Sequence, residues 1–287
     1  MAVELTGVPE TMLWTLWFRA AEARRPDTVL ADPEAVRAVE RTDFPFRERF
    51  GPPHELMAQQ MALRAAAFDA VTREFLDAYP EGTVVALGEG LETSYWRVDN
   101  GRLHWLTVDL PESLALRTRV LPAAPRQRTL ACDARDPRWL DGLDPDAGVL
   151  VTAEGLFMYL RPAEVRDLIR ACAERLPGGG LVFDAVPRWF AARSRRQQLR
   201  MPTGWTAPPM PWGMDADQRP ALRRVHPAVA EVREVPLPPG RGLFWGRLAP
   251  WAAGTPQLGR LWPTVTLLRF GSRRRTTGRA GEEADET

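Results

Sequence analysis

Apolar positions recur at helical spacing through the first eighty residues, then give way to short apolar runs separated by glycine and proline. Residues 11–24 place Met12, Leu13, Leu16, Trp17 and Ala20 on one face, which predicts a helix ended by Pro26 and Asp27. Asp32-Pro33 offers a capping side chain followed by proline at the first helical position, predicting a second helix to about residue 41. A third helix is expected over 55–79, with Met57, Met61, Leu63, Ala67, Phe68, Val71, Phe75 and Leu76 inward. Between the last two, residues 43–53 carry Phe44, Phe46 and Phe50 among prolines and read as an aromatic loop over a pocket. Residues 1–80 are therefore expected to form an N-terminal helical cap.

From residue 83 the pattern alternates. Apolar runs at 83–87, 105–109, 127–132, 148–153 and 180–185 predict strands, and residues 91–98, 111–121 and 162–176 predict helices between them. That alternation is the mark of a parallel sheet covered by helices on both faces, an α/β fold. Two further runs, 229–237 and 262–270, read as closing strands, so about seven strands are expected in a core spanning 81–271. Pro177-Gly178-Gly179-Gly180 precedes a strand and reads as a turn, since a phosphate loop opens a helix. Residues 187–263 hold Trp189, Trp205, Trp212, Trp245, Trp251 and Trp262 among many prolines. Such loops build walls over apolar ligand sites or fill gaps in the core; a lid insertion is expected near 187–225. The polar segment 272–287 is expected to be disordered.

The densest signal lies where the first strand ends. Gly88-Glu89-Gly90 follows the strand directly, and Asp109 closes the next strand nineteen residues after Gly90. Glycines let the backbone turn and a ligand approach, and an acid at that distance can accept from ribose hydroxyls. A dinucleotide site wants a third glycine where Thr93 stands, so a pyrophosphate would lose its close helix approach. A ligand with a nucleoside and no phosphate fits better, and S-adenosylmethionine is such a ligand.

Composition narrows the chemistry. All 38 basic residues are arginine, which excludes P-loop, Schiff-base and general-base lysines. The formal net charge of +1 supplies no field to recruit nucleic acid or a membrane. Cys132 and Cys172 stand far apart in apolar segments and read as buried thiols. The opening MAVELTGVPE has no basic or apolar signal region, and no apolar run approaches a membrane span, so a cytoplasmic location is expected.

Several segments together resemble the leucine carboxyl methyltransferase-like family of class I S-adenosylmethionine-dependent methyltransferases, in its bacterial, polyketide-modifying branch. They are ETMLWTLWFRAAEARRPDTVLADPEAV (10–36), MALRAAAFD (61–69), VVALGEGLETSYWRVDNGRLHWLTVDLPE (84–112), AEGLFMYLRPAEV (153–165), FDAV (183–186) and PWGMDAD (211–217). The resemblance runs from about residue 8 to residue 270. It implies a Rossmann-like sheet, S-adenosylmethionine as cofactor and a small-molecule acceptor, on a monomer or homodimer. It further implies that Arg64 pairs with the cofactor's carboxylate and that Gly88, Glu89 and Gly90 border its methionine part. Asp109 would hold the ribose hydroxyls, Leu110 would pack on the nucleoside, and Asp133 and Ala134 would meet the adenine. Glu154 either borders the methyl-transfer region or caps the following helix. In two places the chain departs from the family pattern: Glu89 replaces a small residue, and Ser94 stands where an arginine is usual.

Methyl transfer from a sulfonium is an in-line displacement, so positioning dominates. An ionised carboxylate needs no base, whereas a phenol must lose a proton to a group titrating near neutrality. His54, beside the aromatic loop, is the foremost histidine candidate, ahead of His104 and His226; Glu154 and Tyr159 are the other catalytic candidates. Trp189, Trp212 and Phe157 are expected to contact an aromatic acceptor. The expected function is O-methylation of a carboxylate, or of a phenolic hydroxyl, on a polyketide-like metabolite. The alternative is a methyltransferase fold that has abandoned transfer and acts as a cyclase or binding protein, motivated by Glu89 and Ser94. A nucleic-acid modifier is disfavoured by the charge.

Overall fold

The structure is a computed structural model, and residues 5–272 are described; apart from Ser272 the expected disordered tail lies outside them. Four helices come first: α1 (Thr11–Ala23), α2 (Pro33–Arg41), α3 (Phe46–Phe50) and α4 (Glu55–Ala78). Asp32 caps α2 by accepting from the Ala35 amide, with Pro33 at the first turn. The stretch expected as an aromatic loop contains α3. Phe46 and Phe50, four apart, are buried together against Leu13, Leu16 and Trp205, and that shared face holds one helical turn.

The sheet follows as β1 (Thr83–Leu87), α5 (Ser94–Val98), β2 (His104–Asp109), α6 (Pro111–Val120), β3 (Gln127–Ala131), β4 (Val149–Ala153), α7 (Pro162–Arg175) and β5 (Gly180–Ala185). After α8 (Arg188–Arg195) come β6 (Val229–Val235), α9 (Ala249–Ala253), α10 (Pro256–Gly259) and β7 (Thr264–Phe270). Strand order is β3-β2-β1-β4-β5-β7-β6, with the first five parallel and β7 antiparallel to both β5 and β6. This is the mostly parallel seven-stranded α/β sheet that the alternating pattern implied. The order reverses beside β1, and such a switch point opens a crevice at the carboxyl ends of the strands.

One core packs α7 against the β1, β2, β4 and β5 face, and a second joins α4 to the opposite face through Ala67, Phe68, Val71, Val182 and Val265. The helix expected over 91–98 starts only at Ser94. Leu91 and Glu92 stay in the turn because Arg19 and Arg117 hold their carbonyls. Cys132 and Cys172 are buried and free. Among the described residues no helix is long and apolar enough to cross a membrane, and no cluster of ligands suits a metal ion.

Candidate cofactor and active site

A cavity of about 260 Å³ opens at the carboxyl ends of β1, β2 and β4. Its walls come from Gly88 to Glu92, Asp109, Leu110, Asp133, Ala134, Glu154 and Tyr159, and from Thr11, Met12, Thr15 and Arg64 of the preceding helices. Gly88 and Gly90 have φ of +59° and +52°, a region that disfavours side chains. Space adds to this: a Cβ on Gly90 would lie 2.8 Å from Met12, and one on Gly88 would lie 2.9 Å from Leu156.

Asp109 holds the turn in place. One carboxylate oxygen accepts from the Gly90 amide at 2.6 Å and the other from the Leu110 amide at 2.7 Å. Burial pushes this carboxyl above its usual range, while those amides and Ser113 oppose the shift. A carboxylate has about four lone-pair sites, so capacity remains for ligand hydroxyls.

Glu89 turns away from the cavity centre to an arginine. Arg117 donates to it at 2.7 Å, Thr107 and Trp105 donate as well, and the same guanidinium binds the carbonyls of Gly90 and Glu92. Both partners are buried. The acid that departs from the family pattern therefore staples the glycine turn to α6.

Arg64 bridges two carboxylates, donating from Nε to Glu154 at 2.9 Å and from Nη1 to Asp184 at 3.3 Å. Nη2 donates no hydrogen bond among the described residues, and the side chain borders the cavity. Glu154 is pushed up to about 8: burial and nearby Glu92 outweigh Arg64, which is shared with Asp184. Tyr159 lines the cavity beside Thr11, and burial pushes its phenol up to about 12. Asp133 also lines the cavity, but it is half-exposed, accepts from Arg135 and is held below the usual carboxylate range by that guanidinium.

Four expected contacts do not reach this cavity. His54 is exposed at the start of α4, directly after the aromatic segment, and its ring borders solvent. Phe157 is fully buried with its ring 4.6 Å from Phe183, and Trp212 packs edge-on against it, so both fill the α7-side core. Trp189 is 45% exposed and donates to the Leu261 carbonyl. The other histidines are also remote: His104 is exposed at the amino end of β2, and His226 lies 3.6 Å from Glu174.

A buried ionic network behind the turn escaped the sequence reading. Arg97 of α5 donates to Asp69 at 2.7 Å and Asp32 at 2.9 Å, and Ser94 donates to Asp69 at 3.0 Å. Arg19 of α1 donates to Asp32 at 2.9 Å and pairs with Glu92 at 2.8 Å. Arg97 lies three residues beyond Ser94, one helical turn on, and donates to its hydroxyl at 2.9 Å. Asp32 gave only a capping signal in the sequence; its second oxygen faces both guanidinium groups.

The sequence model of leucine carboxyl methyltransferase matches residues 12–173. The tetracenomycin polyketide synthesis O-methyltransferase of Streptomyces glaucescens is 33% identical over 213 residues, which cover 74% of this chain and 77% of that one. An S-adenosyl-L-methionine-dependent methyltransferase of Gibberella zeae is 30% identical over 62% of this chain and 65% of its own. Solved structures from Bordetella parapertussis and Thermobifida fusca superpose with TM-scores of 0.55 and 0.52 at 20% and 17% identity. They cover 91% and 92% of this chain, and 79% and 99% of their own, and they share its fold. With the glycine turn, its acid and the sheet order all in place over the matched region, the chain belongs to the leucine carboxyl methyltransferase family.

Proposed function

We propose that this S-adenosylmethionine-dependent enzyme methylates an oxygen, first a carboxylate oxygen, of a small aromatic, polyketide-like metabolite. The observation that carries the reading is the 2.6 Å hydrogen bond from Gly90 to Asp109. It puts side-chain-free backbone and a buried acid with spare acceptor capacity in one cavity, which suits a nucleoside without phosphates. When bound, S-adenosylmethionine supplies an electrophilic methyl group on a sulfonium. The residues present fit that cation-bearing ligand: Glu92, Asp109 and Asp133 line the cavity with carboxyl groups, and Arg64 keeps Nη2 for a carboxylate.

In this reading Asp109 receives the ribose hydroxyls, Leu110 and Ala134 flank the base, and Asp133 reaches the adenine amino group from the rim. Arg64 orients the amino-acid end, with Glu154 and Asp184 fixing its fork. Glu154 faces the ammonium, and Tyr159 helps exclude water beside Thr11. The motives for an enzyme that has abandoned transfer are met otherwise. Glu89 is held by Arg117, and Ser94 joins Arg97 and Asp69 in a buried hydrogen-bonded network.

A carboxylate acceptor is supported by the lining, which contains no histidine among its residues. Such an acceptor is already ionised at neutral pH and needs no base. A phenol is the second reading, favoured by Glu154, whose raised carboxyl suits proton abstraction. The test is incubation with methyl-labelled S-adenosylmethionine and a panel of naphthoic acids and naphthols, followed by hydroxide treatment. A labelled ester cleaved by hydroxide is expected. A hydroxide-resistant ether would overturn the carboxylate reading and turn attention to Glu154.

A further inference from the structure

A second cavity, about 430 Å³, lies on the β6–β7 side of the sheet and shares no lining residue with the first. Its volume falls in the range of about 300–1,000 Å³ found for small-molecule sites. The segment between β6 and β7 builds most of it, with Leu237, Trp245 and Trp262 as apolar walls. The rings of Trp245 and Trp262 stand 5.9 Å apart at 66°, forming two sides of a corner. Trp245 is buried and fixed by donating to the Leu56 carbonyl at 3.1 Å, so the corner is rigid on that side.

Three polar side chains line this cavity: Thr264, Gln60 and Glu234, the last half-exposed at the rim and neutralised by Arg219 at 2.8 Å. Thr264 is 6% exposed, and its buried hydroxyl has no partner among the described residues. An unpaired buried hydroxyl is costly, and a ligand oxygen would satisfy it. Gln60 contributes its amide from α4.

The two cavities are neighbours. Gln60 and Arg64 are four residues apart on α4 and share one face, about 6 Å from each other. Val265, on the wall of the second cavity, is directly opposite Asp184 on β5, and Asp184 holds Arg64. The Arg64–Asp184 pair thus lies on the side of the first cavity that faces the second.

From this geometry we infer that the β6–β7 cavity receives the flat apolar body of the methyl acceptor, an aromatic molecule of two or three fused rings. A hydroxyl or carbonyl of the ligand pairs with Thr264, and its reactive oxygen extends past Gln60 toward Arg64. The inference deepens the proposed function and rests on it, and it relocates acceptor recognition from Trp189, Trp212 and Phe157 to Trp245 and Trp262.

The experiment titrates anthraquinone-2-carboxylate into the protein by calorimetry, with and without S-adenosylhomocysteine. Ala253→Trp fills the cavity from its exposed rim, Trp262→Ala removes a wall, and Thr264→Val removes only the hydroxyl. The first two are expected to weaken the probe at least about tenfold, and Thr264→Val about three- to tenfold, as for one lost hydrogen bond. All three should leave S-adenosylhomocysteine affinity within about twofold, since they lie outside its cavity. Probe and S-adenosylhomocysteine should bind together. Absence of probe binding, unchanged probe affinity in Ala253→Trp and Trp262→Ala, or mutual exclusion with S-adenosylhomocysteine would each overturn the inference. Failure of S-adenosylhomocysteine to bind the wild-type protein would instead strike the proposed function, and the probe titration without it still decides the cavity.

Discussion

Asp109 and Asp133 were assigned parallel roles toward the nucleoside, yet their surroundings differ. Asp109 is buried and tied to two backbone amides, whereas Asp133 is half-exposed and satisfied by Arg135. Asp109→Ala is therefore expected to weaken S-adenosylmethionine by about 1–3 kcal/mol, because it leaves buried donors unmatched. Asp133→Ala should cost less than about 1 kcal/mol, as for a solvated ionic contact. Calorimetry on both variants checks the ranking, and a larger loss at Asp133 would reverse it. Glu89 carries a second expectation. Removing it strands Arg117, whose side chain is 4% exposed, so Glu89→Ala should destabilise the fold by about 3–5 kcal/mol in denaturant unfolding. Glu89→Gln, which keeps an acceptor, should cost less; unchanged stability in Glu89→Ala would show that the pair does not hold the turn. Gly88, Gly90 and Asp109 line one cavity, and their grouping was legible in the sequence because strand, turn and second strand are local patterns. It could not show where Glu89 points, because Arg117 is 28 residues away and on another element.

At the level of elements, α1, α2, α4 and α5 meet the glycine turn through Arg19, Asp32, Asp69, Thr93 and Arg97. The buried ions are satisfied only as a set, since Arg19 serves two carboxylates, Arg97 serves three, and each aspartate serves more than one donor. Breaking one member leaves an uncompensated charge. A double-mutant cycle of Arg19→Met with Asp32→Asn should show a coupling energy of about 0.5–3 kcal/mol in unfolding, and additivity would contradict a shared network. Most helix and strand positions were legible from periodicity, whereas α8, α9 and α10, in the proline- and tryptophan-rich part, were not, and the shift at Ser94 came where side chains intervene. The walls of the second cavity were legible as a composition of tryptophan and proline. Which tryptophans face a cavity was not, because Trp189, Trp212 and Trp245 have similar sequence contexts and differ only in what packs on them.

Across the whole molecule, the ionisable groups around the cavity set the pH dependence of turnover. An acceptor carboxylate stays ionised throughout neutral pH, so at saturating cofactor kcat should be flat from about pH 6 to 9. If Glu154 were an obligatory base, it would be largely protonated below about 8, and kcat would rise about tenfold per pH unit up to that value. A rising limb that Glu154→Gln removes would identify a phenol acceptor. The fold, its sheet order and its family agree on a cofactor cavity at the switch point beside β1. The most direct measurement is a calorimetric titration of S-adenosylhomocysteine into the wild-type protein and into Asp109→Ala. One site per chain, weakened at least about fivefold by the substitution, is the result this account predicts. No binding to the wild-type protein, or equal binding to both, would contradict it.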